Sequence, residues 1–467
     1  MRLAIAQIGT ADEGGGAAAV AQGLMRGYAA RGHRVWHLVG RQRSGNPNVI
    51  LLPDDDRATF RATGYTALQS GLRRLAGRFP DRGFGLLSRS LRLATHPGAL
   101  VSYWRGREDF DYPGTRRLFQ HLGTVPDVVH GHNLQGGYFD LRELTSISAR
   151  VLTVLTLHDM WLLTGHCAHA LGCERWQSGC GRCPDLRLDP AVRRDATAEN
   201  WQGKQTVYGR SRLHIATPSE WLRQQVAASM LRPLSMRVIP NGVDTEVFRP
   251  ADRAAVRAAL GLPADAFIVL LTTGSRGSMW KDDRTLRDVM NRLADRPGGP
   301  PVEWVAVGRE SVAAVKSQAK IRSISYQHDP RDMARYYQAA DLYLHATRAD
   351  TFPLAVLEAM ACGTPVVASR VGGIPEQIRE VDVTEAGPAP GGGVGDATGV
   401  LVPLGDGAAM ADAVQVLRAR GDLRASLGAN AVTRVARQFT LTQQVDAYLA
   451  WYRELLDQGS ATEGARR

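Results

Sequence analysis

The middle of the chain decides its fold: residues 236–244 read MRVIPNGVD, and residues 267–273 read FIVLLTT. The first stretch is an apolar run that stops at a turn of proline, asparagine and glycine, and the second is a new apolar run of strand length. An alternation of strands and helices therefore ends here and begins again. We expect one sheet before this point and a second sheet after it.

The N-terminal half opens as a strand, a glycine loop, a helix and a second strand, at residues 3–8, 14–16, 17–30 and 34–39. Further short apolar runs follow at residues 128–129, 151–157, 213–216 and 236–239. Strands joined by helical crossovers are typical of a parallel sheet. We therefore expect a doubly wound α/β domain over residues 1–245.

The C-terminal half repeats this plan. Its expected strands are residues 267–273, 302–307, 321–326, 342–344, 366–367 and 400–402, with helices near 284–293, 330–339 and 355–360. This pattern predicts a second doubly wound domain over residues 246–439. A last helix at residues 440–459 and a disordered polar tail at residues 460–467 complete the predicted organisation.

The composition is that of a folded protein, because 44% of the 467 residues are hydrophobic and 22% are charged, which excludes disorder as the main state. No window approaches the roughly 18 apolar residues that span a bilayer, and the apolar start at residues 3–8 is too short for a signal peptide. We expect a cytoplasmic protein.

The basic charge is concentrated in one segment. The formal net charge is +11, and between residues 57 and 117 there are twelve arginines against four acidic residues. This distribution disfavours nucleic acid as a partner. Leucines among these arginines could form basic amphipathic helices that suit an anionic membrane surface, at the inner face of the plasma membrane, and a solvated arginine-rich face is the equal alternative.

A glycine loop at the start of the first helix could let backbone amides approach phosphate or sugar oxygens, since Gly15 and Gly16 leave the backbone uncovered. A dinucleotide fingerprint would need wider glycine spacing and an acidic residue after the second strand, where this chain has Gly40 and Arg41. Nicotinamide chemistry is therefore disfavoured. A tight turn without a ligand is the alternative interpretation.

Two cations, Arg276 and Lys281, follow the first strand of the second domain. They would lie at the carboxyl edge of the sheet, where open α/β folds bind ligands, and a pair of cations suits a pyrophosphate. An exposed, solvated loop is the alternative interpretation.

Two carboxylates bracket a helix start further on, where residues 350–358 read DTFPLAVLE. Asp350 and Glu358 could each accept hydrogen bonds from vicinal hydroxyls of a sugar or a ribose. The backbone around Phe352, Pro353 and Leu354 would present a helix N-terminus to an anion.

These stretches, with PNGVD at 240–244, VGGIPE at 371–376 and GVLVP at 399–403, resemble the successive motifs of family-four retaining glycosyltransferases, which have the GT-B fold. DVVHGHNLQGGY at 127–138 and LHDMW at 157–161 resemble a branch of that family found in bacterial exopolysaccharide gene clusters of the colanic-acid type. The resemblance implies two Rossmann-like domains facing across a cleft. It assigns the acceptor to the first domain, the donor to the second, and a return to the first domain to the last helix.

The resemblance also implies roles for single residues. Glu358 would hold the ribose of a nucleotide diphosphate sugar, Asp350 the sugar hydroxyls, and Arg276 and Lys281 the diphosphate. His158 would face the donor sugar from the first domain. The family usually has glutamate where this chain has Asp350, which is one methylene shorter.

The implied chemistry needs no catalytic cofactor. A cationic loop and helix-terminal amides would stabilise the departing diphosphate without a metal. Retention in the family is assigned to same-face attack, with the leaving phosphate helping to take the acceptor's proton. His158 is therefore expected to position the donor and not to act as a nucleophile.

A cysteine-rich loop at residues 166–184 stands apart from these motifs. Its cysteines are Cys167, Cys173, Cys180 and Cys183. Four thiolates could enclose a structural zinc, and the last pair has good spacing, but the first pair is further apart than usual. Reduced thiols that only pack are the alternative.

Together these observations predict a retaining glycosyltransferase that moves a sugar from a nucleotide diphosphate donor to a glycan or lipid-linked acceptor, in polysaccharide or cell-surface glycan synthesis. A sugar-nucleotide epimerase on the same fold is the rival enzyme, and it would need no acceptor. A non-catalytic binder of anionic surfaces or nucleic acid is disfavoured by the clustered donor motifs.

Overall fold

The computed structural model describes residues 1–52, 97–108, 110–273, 279–294, 296–308, 320–383 and 394–464. Its strands are β1 (Ala4–Ala11), β2 (Arg34–Arg41), β3 (Val49–Leu51), β4 (Val128–Gly131), β5 (Leu152–Thr156), β6 (Leu213–Thr217), β7 (Ser235–Val238), β8 (Phe267–Thr273), β9 (Val302–Gly308), β10 (Lys320–Ile324), β11 (Leu342–His345), β12 (Val366–Ser369) and β13 (Gly399–Val402).

The helices of the described residues are α1 (Gly16–Ala30), α2 (Pro97–Arg105), α3 (Leu118–Leu122), α4 (Leu144–Ser148), α5 (Thr197–Tyr208), α6 (Glu220–Ala228), α7 (Arg253–Leu260), α8 (Asp283–Ala294), α9 (Pro330–Ala339), α10 (Leu354–Ala361), α11 (Ile374–Gln377), α12 (Gly407–Ala419), α13 (Gly421–Gln438) and α14 (Leu441–Gly464). Short 3-10 helices cover Pro113–Arg117, Leu141–Glu143, Trp161–Leu163 and Arg175–Gln177.

The first sheet has the strand order β3-β2-β1-β4-β5-β6-β7. β1 lies between β2 and β4 and is parallel to both, with Ile5 opposite Val35 and Val128. Helix α1 connects β1 to β2 and buries Val20 and Leu24, which are four residues apart and share one face of the helix. Burial of this face holds the helix on the sheet. The loop between β1 and α1 lies at the carboxyl edge of the sheet because it follows the end of β1.

The second sheet has the order β10-β9-β8-β11-β12-β13 and is parallel throughout. Alternate residues of β8 enter different apolar clusters. Ile268 and Leu270 pack into one cluster, and Val269 and Leu271 pack into the other. Because successive side chains of a strand point to opposite faces, both faces of this sheet are covered, as a doubly wound fold requires.

The chain divides into two compact units, and each is described by itself. The first contains residues 1–216 and 224–237, and the second contains residues 217–223 and 238–467. The short segment 217–223 is tied into the second unit by Glu376, whose two carboxylate oxygens accept the backbone N–H groups of Glu220 and Trp221 at 2.7 Å each. A carboxylate at the N-terminus of a helix is favoured by the helix dipole.

The two doubly wound domains that the sequence predicts are confirmed. The predicted last helix and tail differ in one respect, because α14 continues through Gly464, so residues 460–464 are helical and not a disordered tail. The crossing of residues 440–459 back to the first domain stays a prediction. In the described part of the chain, no helix combines the length and apolar character needed to cross a bilayer.

Candidate active site

Charged residues gather at the carboxyl edge of the second sheet. Strands β8 and β11 are neighbours there, with Tyr343 opposite Leu270. Lys281 follows β8 and Asp350 follows β11, and Lys281 also pairs with Thr347 in an isolated β-bridge. Because parallel strands end at the same edge, the two loops meet where open α/β sheets bind ligands.

The Asp350 carboxylate is held by its own loop and faces a buried histidine. Its Oδ1 accepts a hydrogen bond from the backbone N–H of Phe352 at 3.3 Å, and its Oδ2 lies 3.9 Å from Nε2 of His345. Burial raises the pKa of Asp350, and the nearby charge of Lys281 opposes that shift. The other ring nitrogen of His345 lies 2.9 Å from the Tyr343 hydroxyl. The backbone N–H of Phe352 therefore orients the short Asp350 side chain, whereas His345 is too far away to form a hydrogen bond with it.

Glu358 lies on helix α10, eight residues beyond Asp350, and is half-buried. The Tyr337 hydroxyl donates a hydrogen bond to its Oε2 at 3.1 Å. Burial raises the pKa of Glu358 to about 7, and the Tyr337 hydrogen bond opposes the shift. A ligand hydroxyl that donates to this group would favour the ionised form, so ligand binding and ionisation are linked.

The backbone carbonyls of the loop before α10 are engaged by protein groups. Asn241 Nδ2 donates to the Phe352 carbonyl at 3.0 Å, and Gln377 Nε2 donates to the Pro353 carbonyl at 2.9 Å. Helix α10 begins at Leu354 with no side-chain cap and no acidic residue in its first turn. Its first N–H groups therefore present a positive helix end that suits an anion.

Two glycines allow another loop to approach Asp350. A Cβ on Gly372 would lie 1.8 Å from the Asp350 carbonyl oxygen, and a Cβ on Gly373 would lie 2.0 Å from the Thr351 carbonyl oxygen. Gly373 N–H donates to the Asp350 carbonyl at 3.3 Å. The glycines of the VGGIPE motif are therefore needed because a side chain there would displace the backbone at Asp350.

We expect Gly372→Ala to weaken donor binding by at least about tenfold, since relieving the overlap moves the Asp350 backbone by more than the tolerance of a hydrogen bond. Gly395→Ala is a matched control, because both glycines have φ +54° but a Cβ on Gly395 would meet nothing within 4 Å. Isothermal titration of both variants with the donor nucleotide measures the effect. Equal affinities in the two variants would show that the contact with Asp350 is unimportant.

The first domain carries histidines at the carboxyl ends of β4 and β5. His132 Nδ1 lies 3.0 Å from His158 Nε2, and the two rings stack at 5.3 Å with an interplanar angle of 24°. Burial lowers the pKa of His158 to about 4. Next to it, Asp159 accepts hydrogen bonds from the backbone N–H of Trp161 and from the Gln135 side chain. His158 is therefore a neutral ring on a fixed loop at neutral pH.

The glycine loop lies at the end of β1 and is exposed. Gly15 has φ +96° and caps α1 without a side-chain hydrogen bond, and a Cβ on Gly15 or Gly16 would meet nothing within 4 Å. Asp12 fixes the preceding turn, because its carboxylate accepts the backbone N–H groups of Arg43 and Ser44 at 2.8 Å each. The backbone of this loop is therefore uncovered, and its contact with a ligand stays a prediction.

A buried ion pair supports the loop that carries His158. The Lys204 ammonium is fully buried, lies 2.9 Å from Glu108 Oε2 and donates to the carbonyls of Trp161 and Thr164 at 2.9 and 3.1 Å. It also sits 3.7 Å from the centre of the Trp161 ring. The Trp161 indole N–H donates to Glu108 Oε1 at 2.7 Å. One cation thus joins helix α5 to both ends of the segment 161–164.

Comparison with known families decides the identity. The model of Glycosyltransferase Family 4 matches residues 14–247, and the model of Glycosyl transferases group 1 matches residues 268–419. The chain belongs to glycosyltransferase family 4. It is accordingly an enzyme, a retaining glycosyltransferase, which confirms the class predicted from the motifs.

Relatives of this family 4 glycosyltransferase include named enzymes. It is 31% identical to D-inositol 3-phosphate glycosyltransferase of Mycobacterium bovis over 386 residues, which are 79% of this chain and 73% of that protein. It is 32% identical to the protein of the same name from Saccharomonospora viridis over 277 residues, which are 56% of this chain and 60% of that protein.

Solved structures share its fold. Sucrose-phosphate synthase from Thermosynechococcus elongatus superimposes with a TM-score of 0.62 at 20% identity, covering 98% of this chain and 100% of that one. HepE of Anabaena in complex with UDP-glucose gives a TM-score of 0.62 at 16% identity, covering 96% and 100%. These likenesses confirm the GT-B fold.

The predicted site residues of the glycosyltransferase fall into two sets. Lys281, Asp350, Glu358 and the segment 352–354 lie at the carboxyl edge of the second sheet, and the glycine loop and His158 lie at that edge of the first. Arg276 lies outside the described residues. The individual roles stay predictions.

Sequence reasoning missed several supporting residues. They are Lys204, Glu108, Asn241, Tyr337, His345 and the role of His132. All of them except His345 act through a contact with a distant part of the chain, and no local pattern signals such a contact. His345 contacts Tyr343, two residues away in its own strand. Of these residues, only Asn241 and His132 lie within the sequence motifs described above, and that position was the one signal in the sequence that could have indicated them.

Two thiols of the cysteine-rich loop contact neighbouring residues. Cys180 Sγ accepts the Gly165 backbone N–H at 3.2 Å, and Cys183 Sγ lies 3.3 Å from His166 Nε2. Burial raises the pKa of Cys180 to about 11. Within the described residues, no group of three or more histidine, cysteine or acidic side chains is arranged to hold a metal ion. The structural zinc stays a prediction.

Proposed function

We propose that this glycosyltransferase moves a sugar from a nucleoside diphosphate donor to a hydroxyl of a glycan or lipid-linked acceptor in cell-surface glycan synthesis. The observation that carries the proposal is the arrangement of two half-buried carboxylates around an uncapped helix N-terminus beside a lysine. Glu358 takes the ribose hydroxyls, Asp350 takes the sugar hydroxyls, and Lys281 with the start of α10 takes the diphosphate.

The chemistry follows from that placement. Breaking the bond between the anomeric carbon and the diphosphate leaves negative charge on the phosphate oxygens. Lys281 and the α10 N–H groups stabilise that charge more strongly as it develops, which lowers the barrier. HepE of Anabaena, which shares the fold, was solved in complex with UDP-glucose, and this supports a nucleotide sugar as the donor class here.

The acceptor side of the proposal rests on the basic segment 57–117, of which residues 57–96 and 109 lie outside the described residues. Within the described part, helix α2 exposes about half of Val101 and of Trp104. An exposed tryptophan beside arginines suits a membrane interface, so we propose a peripheral site at the cytoplasmic face of the membrane that supplies a lipid-linked acceptor.

A thermal-shift panel of UDP, GDP, dTDP and ADP tests the donor site. A nucleotide at 100 times its Kd should add about 2.7 kcal/mol of stability. Lys281→Ala should lose that gain, whereas Lys320→Ala, at an exposed position of β10, should keep it. No stabilisation of the folded protein by any nucleotide would overturn the assignment.

The same preparation separates transfer from epimerisation. A nucleotide sugar incubated with the enzyme but without acceptor should remain unchanged except for slow hydrolysis, because a transferase needs an acceptor hydroxyl. Accumulation of an epimeric nucleotide sugar would instead identify the rival activity.

A further inference from the structure

The two histidines at the carboxyl ends of β4 and β5 share one hydrogen bond. His132 Nδ1 and His158 Nε2 are 3.0 Å apart. His130 packs against the other side of His132, with ring centres 4.3 Å apart, and its Nε2 lies 2.7 Å from the Thr156 hydroxyl. Three imidazoles are thus packed in a row.

All three rings are neutral at physiological pH. Burial lowers the pKa of His130 to about 3 and that of His158 to about 4, and it lowers the pKa of His132 well below its usual range. A neutral imidazole carries one hydrogen, on one of its two nitrogens. The contact between His132 and His158 therefore contains one hydrogen, and one ring donates while the other accepts.

The second nitrogen of His132 decides which ring donates. His132 is 2% exposed, and its Nε2 is buried without a hydrogen-bond partner among the described residues. A hydrogen on that nitrogen would be a buried, unsatisfied N–H, which proteins avoid more strictly than an unsatisfied acceptor. The hydrogen of His132 therefore lies on Nδ1 and points to His158.

We propose that His132 is a positioning residue that donates its Nδ1 hydrogen to Nε2 of His158 and so holds His158 in the tautomer with its own hydrogen on Nδ1. The inference rests on the proposed function, in which His158 contacts the reacting sugar. The tautomer is set by the bond that the opposite nitrogen makes.

One consequence concerns proton transfer. In this tautomer the Nε2 lone pair of His158 is occupied by His132 and its Nδ1 already carries a hydrogen, so the ring has no free lone pair for the proton of the attacking hydroxyl. That proton therefore goes to another acceptor, such as the departing diphosphate. His158 then serves as a hydrogen-bond donor and orienting group, not as a general base.

Three substitutions at position 132 test the role. His132→Leu removes the donor and should lower kcat about tenfold to a hundredfold with little change in the donor KM, as loss of an orienting partner does. His132→Asn restores an N–H near the Nδ1 position and should recover kcat to within about threefold. His132→Asp offers only an acceptor, forces the other tautomer and should be as impaired as His132→Leu.

Full activity in His132→Asp would overturn the tautomer, and full activity in His132→Leu would overturn the positioning role. Thermal melts verify that each variant is folded. Long-range proton–nitrogen NMR correlation of histidine-labelled wild-type protein, assigned with His158→Gln, reads the tautomer without substrate. A hydrogen on Nε2 of His158 in this spectrum would refute the proposed tautomer, whichever reaction the enzyme catalyses. A hydrogen on Nδ1 of His158 in a protein without transferase activity would leave the tautomer standing and would contradict only the proposed function.

Discussion

Glu358→Ala should reduce kcat/KM for sugar transfer by about a hundredfold to ten-thousandfold. The carboxylate accepts two ribose hydroxyls in the proposed complex, each charge-assisted hydrogen bond is worth about 1.5–3 kcal/mol, and about 1.4 kcal/mol is a factor of ten. Steady-state kinetics with the nucleotide sugar identified by the thermal-shift panel measures the loss.

The matched control is Glu246→Ala, which removes an exposed carboxylate from the same domain. It should keep wild-type kinetics. Glu358→Ala should stay folded, because the hydrogen bond from Tyr337 is a modest loss and a costly buried charge disappears with it. Wild-type kcat/KM in Glu358→Ala would remove this residue from the donor site.

The same residue makes donor affinity depend on pH. The pKa of Glu358 is raised by burial to about 7, so the free enzyme is mostly protonated at pH 6 and mostly ionised at pH 8. Because the ionised form accepts the hydroxyls, affinity should rise about tenfold over that interval. The free energy of unfolding depends on pH in the opposite direction. The Glu358 carboxyl ionises at lower pH in the unfolded chain than in the folded protein, so the folded protein loses stability as the pH rises from about 4.5 to 7. Glu358→Gln should abolish both dependences.

Lys204→Met should lower the free energy of unfolding by about 3–5 kcal/mol. The substitution leaves the Glu108 carboxylate buried without its cation, and an uncompensated buried charge is among the most destabilising changes known. Burial already raises the pKa of Glu108, opposed by Lys204, so removal of the lysine should raise it further. Urea unfolding followed by tryptophan fluorescence, to which Trp161 contributes, measures the loss.

Two further variants make this prediction specific. Lys204→Met with Glu108→Gln should regain part of the stability, because no charge remains buried. Arg292→Met breaks an exposed helical ion pair with Asp288 and should cost less than about 0.5 kcal/mol. A similar cost in Lys204→Met and Arg292→Met would contradict the role assigned to the buried pair.

Much of the fold could be predicted because its strands are strong local signals. β8 has the predicted bounds, since an apolar run between the proline and aspartate at 263–265 and the glycine at 274 has few alternatives. α9 also has its predicted bounds, and there Asp329 accepts the Arg331 N–H just before a proline at the first helical position. β3 is only three residues long and pairs with β2, so its existence depends on the neighbouring strand and not on its own pattern.

The candidate site also has a part that the sequence predicts and a part that it does not. Asp350 and Glu358 lie within one continuous motif, so the spacing of the motif was enough to locate both. Tyr337 acts on Glu358 through a hydrogen bond between two helices, which forms only when the second domain folds. The raised pKa of Glu358 is a property of that burial, which no sequence pattern contains.

The path of the chain between the two units limits modular exchange among enzymes of this family. Residues 217–223 count with the second unit although residues 224–237 return to the first. A fragment that starts at residue 246 would carry Glu376 without Glu220 and Trp221, the two residues whose backbone N–H groups it binds. In a chimera joined at residue 246, those N–H groups come from the other parent, so the contact forms only where that parent begins its helix at the same place. A second junction that brings residues 217–223 from the same parent as Glu376 keeps the contact intact.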